Sequence, residues 1–250
     1  MHFTTSASVD GVTGRDLVHD GVPGVLWTPP GTATGLVLSA HGGGQHKHAP
    51  GIRARAHACA VAGLAVLTLD APGHGDRPRT PDDEHHATEI RARIAAGTDA
   101  GPLVAEYNAL QSARAIPEWR SALDALLALP EFAHLPGAVF WGVSMGSALG
   151  IPLVAAEPRV VAAVFGLIGA TDQLTTAAAS ITVPVRFLLQ WDDRLIARPA
   201  GLALFDALAT PRKTLHANPG GHGDVPGHEL ADAVRWLAER AREATVHTPS

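Results

Sequence analysis

The sequence predicts an α/β fold, a mostly parallel sheet with helices on both faces. Three observations predict it. Short apolar runs alternate with helix-like stretches along nearly the whole chain. Two of those runs end in glycine-rich turns just before a helix, at His41–Gly44 and Gly142–Gly146. A chain of 250 residues, 46% hydrophobic and 17% charged, can bury one sizeable core. We therefore expect a single domain over 1–250, with no internal repeat.

The elements follow in order. Asp16–Val18 and Val22–Trp27 read as an edge hairpin. Gly35–Ala40 is the first buried strand and runs into His41-Gly42-Gly43-Gly44. A helix over about 51–62 is stopped by Gly63. Leu64–Asp70 is the second central strand, and Ala138–Trp141 the third. About seventy residues lie between those two, far more than one crossover helix needs. Pro117–Leu129 supplies that helix, with Trp119, Leu123, Leu126 and Leu127 on one face. The rest, about 78–116, reads as a lid-like insertion of one or two weak helices. After Gly146 a helix runs to Glu157, bent at Pro152 and ended by Pro158. Val160–Gly166, Val185–Gln190 and Lys213–His216 complete the strands. The closing helix, Gly227–Arg242, places Leu230, Val234, Leu237 and Ala241 on one face. Thr245–Ser250 reads as a frayed tail.

Composition excludes several classes. The hydrophobic content and a mean hydropathy of +0.10 are wrong for a disordered chain. A net charge of −5 with scattered arginines argues against nucleic-acid binding and against a membrane-attached polybasic surface. Cys59 is the one cysteine, so no internal disulfide, CxxC zinc site or iron–sulfur cluster is expected. The N-terminus lacks a signal-peptide pattern and no run is long enough to span a bilayer, which makes a cytoplasmic location the expectation.

The chemistry centres on Gly142-Val143-Ser144-Met145-Gly146, a G-x-S-x-G between a strand and a helix. There a serine sits on a sharp turn with its hydroxyl exposed, at the positive end of a helix. The serine needs a base. Of fourteen histidines, His222 lies in the glycine-rich loop after the last strand and can reach back over the sheet. His46 and His48 read as solvated rather than metal-binding. The histidine needs an orienting carboxylate. Asp193 after the fifth strand fits, with Asp192 second and Asp172 a distant third. The order serine, aspartate, histidine is the one the nucleophile-elbow motif expects. Oxyanion donors are read at the Met145 N–H and at Gly43, with Gly44 and Trp191 beside the substrate. The turn towards Lys47 lacks phosphate-loop spacing.

On these residues, together with Asp70-Ala71-Pro72-Gly73-His74-Gly75, the chain resembles the α/β-hydrolase superfamily, and within it the dienelactone-hydrolase-like serine esterases. Dienelactone hydrolases proper use a cysteine nucleophile where this chain has Ser144. Many members insert a cap after the fourth central strand; only about eighteen residues separate Gly166 from Val185, so none is expected there. The resemblance implies an eight-stranded, mostly parallel sheet, no cofactor and a covalent acyl-enzyme. The expected activity is hydrolysis of a small-molecule carboxylic ester. Thioesters, lactones and carbon–carbon bond hydrolysis use the same machinery, and a non-catalytic binding protein is the reading from a different class. A homo-oligomer is compatible with the sequence.

Overall fold

The computed structural model describes residues 1–246. Its strands are β1 (His2–Val9), β2 (Val12–His19), β3 (Val22–Thr28), β4 (Gly35–Ala40), β5 (Leu64–Leu69), β6 (Ala138–Gly142), β7 (Val160–Gly166), β8 (Val185–Gln190) and β9 (Lys213–Asn218). Its helices are α1 (Pro50–Val61), α2 (Pro81–Ala95), α3 (Gly101–Leu127), α4 (Met145–Ala156), α5 (Asp172–Ala178), α6 (Arg198–Ala207) and α7 (Gly227–Val246).

The strands form one sheet in the order β1-β2-β3-β5-β4-β6-β7-β8-β9. From β5 to β9 every pairing is parallel, and β1 to β3 join as antiparallel strands at one edge. The sheet thus has nine strands among the described residues, not the expected eight. The extra one is β1, whose His-Phe-Thr-Thr-Ser-Ala-Ser-Val run is almost wholly exposed and has too few apolar residues to read as a strand. It forms because Asp10-Gly11 makes a tight reversal, both residues at positive φ (50° and 78°). That is the geometry a two-residue hairpin prefers. Asp20-Gly21 repeats it (49° and 79°) between β2 and β3.

The core lies on both faces of the sheet. On one face α3, α4, α5 and α6 bury Trp119, Leu123, Leu149, Leu174 and Leu204 against Phe140, Phe165 and Phe187. On the other, Cys59 of α1 and Ala233, Val234, Leu237 and Ala241 of α7 pack on Val37, Val66, Trp141 and Val164. Strands buried on both sides read as continuous apolar runs, which is why β4 to β8 were legible.

Two helices differ from the reading of their residues, α3 and α7. The crossover helix begins at Gly101, not Pro117, and carries Pro117 in its interior. Pro117 has no N–H for the Ala113 carbonyl, a local loss of about 3 kcal/mol. Burying Trp119, Leu123 and Leu126 contributes about 1.5–3 kcal/mol for each side chain, so packing keeps the helix continuous. Leu230 is exposed at 42%. The buried stripe of α7 starts at Ala233, and its first turn instead buries Glu229 against Arg186 at 2.6 Å. The helix also runs through Thr245 to Val246; the rest of the expected tail lies outside the described residues.

Candidate active site

Four strands of the parallel part deliver the site from their C-terminal ends, where open α/β sheets bind ligands. β4 leads to Gly43, β6 to Ser144, β8 to Asp193 and β9 to His222.

Ser144 sits at φ 56°, ψ −126°, a strained conformation for a residue with a side chain. The surroundings enforce it. The Ser144 N–H donates to the Gly166 carbonyl at 2.9 Å. Ser147, one turn on, donates to the carbonyls of Gly142 at 2.7 Å and Gly166 at 2.9 Å. The flanking glycines allow the crowding. A Cβ on Gly142 would meet the Gly146 carbonyl oxygen at 2.4 Å, and one on Gly146 would press on the Ala40 carbonyl oxygen at 3.0 Å.

His222 Nε2 lies 3.0 Å from Ser144 Oγ, and its Nδ1 lies 2.7 Å from Asp193 Oδ2. A carboxylate only accepts, so Nδ1 carries the proton and Nε2 is left free to accept from the serine hydroxyl. The other Asp193 oxygen, Oδ1, accepts from the N–H groups of Leu195 at 2.8 Å and Ile196 at 3.1 Å. The Asp193 side chain is 3% exposed. Asp192 points elsewhere: its Oδ2 accepts from the Gly220 N–H at 3.1 Å and fastens the histidine loop. Gln190, buried at the end of β8, donates to the carbonyls of Pro219 and Gly221 in the same loop. Asp172 is the first residue of α5 and makes no contact with His222. His216 pairs with Glu229, and His48 Nε2 pairs with Asp16 Oδ1 at 2.6 Å, a carboxylate neighbour that the sequence did not suggest.

Gly43 lies opposite the start of α4; a Cβ there would be 3.9 Å from Met145 Cβ. The Met145 N–H belongs to the first turn of α4, whose amides have no partner within the helix. The Gly42 N–H is already engaged by Gln45 Oε1 at 3.2 Å. His41 holds this loop. Its Nδ1 donates to the Gly42 carbonyl at 2.8 Å and its Nε2 accepts from the Ala71 N–H at 3.0 Å. Burial pushes the His41 imidazole down to about 4, against the pull of the Gly42 carbonyl.

Ser144 and His222 open onto a cavity of about 740 Å³, within the range of small-molecule sites. Its wall is largely apolar: Ala148 from α4, Ile168 and Leu174 near α5, Leu195 and Ile196 beyond Asp193. The insertion supplies the opposite wall through Ile94, the 97–102 turn, Val104, Ala105 and Asn108. Of the larger apolar side chains of the insertion, Ile94 and Val104 line the cavity. Ile90, Leu103, Tyr107 and Leu110 do not line it; Tyr107 instead lies beside Asp83 under the insertion. Gly44 and Trp191 also stand outside the wall. Gly44 is an exposed turn residue at φ 70°. Trp191 stacks under the Arg198 guanidinium, 3.8 Å from its ring centroid.

Comparison with known proteins places this arrangement. A cold-adapted esterase from an Arctic intertidal metagenomic library is 35% identical, with 96% of this chain and 100% of that chain covered and a TM-score of 0.76. The chain belongs to the α/β-hydrolase esterases. A dienelactone hydrolase from Anabaena variabilis is 24% identical over 96% of each chain, with a TM-score of 0.61. An acetyl xylan esterase from Paenibacillus sp. R4 is 16% identical over 95% of this chain and 87% of that one, with a TM-score of 0.65. These two show the fold alone. No family model matches the chain, and no curated protein does. The protein is a carboxylic-ester hydrolase. No helix among the described residues is long and apolar enough to cross a membrane.

Proposed function

We propose that this esterase works through Ser144, His222 and Asp193 by way of a covalent acyl-enzyme. The observation that carries the reading is the pair of contacts at 3.0 and 2.7 Å joining the three side chains, on a serine held at positive φ. Ser144 Oγ attacks the ester carbonyl as His222 Nε2 takes its proton. The tetrahedral oxyanion is held by the N–H groups of Met145 and Gly43. Collapse of that intermediate breaks the bond to the alkoxy oxygen, and His222 returns the proton to the departing alcohol. His222 then deprotonates a water that attacks the acyl carbonyl, and as the acyl–Oγ bond breaks it returns that proton to Ser144 Oγ, releasing the acid. Asp193 keeps the imidazole in the productive tautomer and stabilises its charged form.

In this reading the substrate occupies the apolar cavity rather than the surface around Gly44 and Trp191. The 78–116 segment acts as a lid that excludes water and selects substrates. Thr80 anchors it, since its hydroxyl accepts from the Asp83 N–H at 3.1 Å while Asp83 accepts from the Thr80 N–H at 2.9 Å. Asp83 also accepts from Gln111 at 2.8 Å, tying α2 to α3.

The test is labelling with a fluorophosphonate probe, beside turnover of p-nitrophenyl esters. Wild type should label and hydrolyse. Ser144→Ala should remain folded, take no label and lose about 10⁴-fold or more in kcat. Near-wild-type hydrolysis by Ser144→Ala would discard the mechanism.

A further inference from the structure

Asn108 is the least explained residue of the cavity wall. It lies inside α3, is 9% exposed and borders the same cavity as Ser144 and His222. Among the described residues its side-chain amide has no hydrogen-bond partner. Gln111, three residues on, donates from Nε2 to Asp83 Oδ1 at 2.8 Å and faces α2 rather than the cavity. Neither amide atom of Asn108 is sealed off in the packed protein, so the group is open to a molecule entering the cavity. Asparagine is also a poor helix former, so local propensity does not account for it at an interior position. The wall it belongs to is mostly apolar, with Val104, Ala105, Ile168 and Leu174 among its residues, and its other polar members include Asp99, Thr171 and Arg194. An amide in that setting resembles the few placed polar groups that orient a ligand in an otherwise greasy pocket.

We propose that Asn108 is a specificity-determining residue whose amide donates a hydrogen bond to an oxygen of the substrate other than those of the scissile ester. The substrate class is then an ester with an apolar body that carries one further oxygen function, in its acyl or its alcohol part. The inference rests on the reading that the cavity beside Ser144 holds the substrate. A site built to hydrogen-bond a substrate atom penalises analogues that lack it, because its own polar group is left unpaired.

Two series of esters test this. In the first, p-nitrophenyl alkanoates are compared with analogues in which one methylene, stepped along the acyl chain, is replaced by an ether oxygen. In the second, the oxygen is stepped along the alcohol of alkyl butyrates, and acid release is followed by titration. The readout is the ratio of kcat/KM for the ether analogue to that for its all-carbon partner, in wild type, Asn108→Leu and Asn108→Ala. At one position in one series, wild type should show a ratio about 10-fold or more above that of either variant. The series in which this occurs tells acyl from alcohol.

Ratios that are equal in wild type and in a folded variant at every position overturn the proposal. So does a wild type with no preference for oxygen anywhere, which needs no variant at all. Hydrolysis of the all-carbon esters by wild type, lost in Ser144→Ala, leaves the mechanism standing in those cases. A wild type that hydrolyses none of the esters overturns the mechanism and the proposal together.

Discussion

Lys47 Nζ lies 2.8 Å from Asp70 Oδ2, and the two side chains are only 5% and 0% exposed. The backbone N–H of Lys47 donates to the other Asp70 oxygen at 2.8 Å, and the Asp76 N–H donates to Oδ2 at 3.0 Å. Burial would raise the Asp70 carboxyl, but the Lys47 ammonium and these two amides outweigh it and hold the group below its ordinary range. Burial likewise works against the Lys47 charge, and the Asp70 and Asp76 carboxylates overcome it and raise its pKa. This pair fastens the loop that carries Gly43 to the end of β5. Removing one partner of a buried pair leaves a charge without compensation. Lys47→Met should therefore lower unfolding stability by about 3–5 kcal/mol in urea titrations. A loss below about 1 kcal/mol would show that the pair does not hold the loop.

The two adjacent aspartates separate by what they touch. Asp193→Asn should fold and lose about 10³–10⁴-fold in kcat, because an amide favours the wrong imidazole tautomer. Asp192→Asn keeps an oxygen that can accept from the Gly220 N–H and should cost less than about 10-fold. Purified, equally folded variants ranked the other way would move the acid to Asp192.

How much of this was legible in the sequence follows from what each signal encodes. Ser144, His222 and Asp193 come together as the motif and the strand order suggest, since local turn chemistry and sheet topology suffice to place them. The central strands were legible because burial on both faces leaves unbroken apolar runs. β1 was not, because a solvated edge strand has no apolar period; its signal was the Asp10-Gly11 turn, repeated at Asp20-Gly21. α5 and α6, at seven and ten residues, are too short to set a clear apolar period. The start of α3 was hidden by Pro117, whose local penalty is outweighed by packing that no local pattern reports. The cavity wall was the least legible part. Ile168, Leu174, Ile196 and Asn108 come from four separate segments, and only the fold brings them together. Lys47–Asp70 joins residues 23 apart in sequence, and nothing in either neighbourhood marks the pairing.

His41 gives the esterase an acid-side dependence. Its imidazole is pushed from 6.5 to about 4 by burial, so the folded state stays neutral where the unfolded state takes up a proton. The unfolded chain then binds more protons, and stability falls as pH drops below 6.5. His74, also lowered by burial, acts in the same direction. The buried carboxylates enter at lower pH. Hydrogen bonds from Arg159 bring Glu157 down from 4.5 to about 2, against the effect of burial. Its stabilising contribution is present above 4.5 and lost as pH falls towards 2. Between pH 6.5 and pH 5, His41 alone should account for about 1.5 kcal/mol of lost stability. Urea unfolding across that window should show the slope in wild type and a smaller one in His41→Asn. An unchanged slope in the variant would remove His41 as its source.

The part of the insertion that lines the cavity can be tested by chain length. Val104 and Ala105 line the cavity from the start of α3, together with Ile168 and Leu174. Neither belongs to the group that links Asp83, Gln111 and Arg114, so enlarging one should leave the α2–α3 anchor intact. Val104→Trp adds bulk to the wall without altering Ser144, His222 or Asp193. If the insertion forms the substrate pocket, kcat/KM for p-nitrophenyl octanoate should fall about 10-fold or more, with most of the change in KM, while the acetate stays within about twofold. Uniform binding lost at a distance from the reacting carbonyl raises KM and spares kcat. An unchanged octanoate-to-acetate ratio in the folded variant would mean that the chain does not run along the insertion. The acyl group would then have to lie along Ile196 and Ala200 instead, and Ala200→Trp would be the variant that changes the ratio.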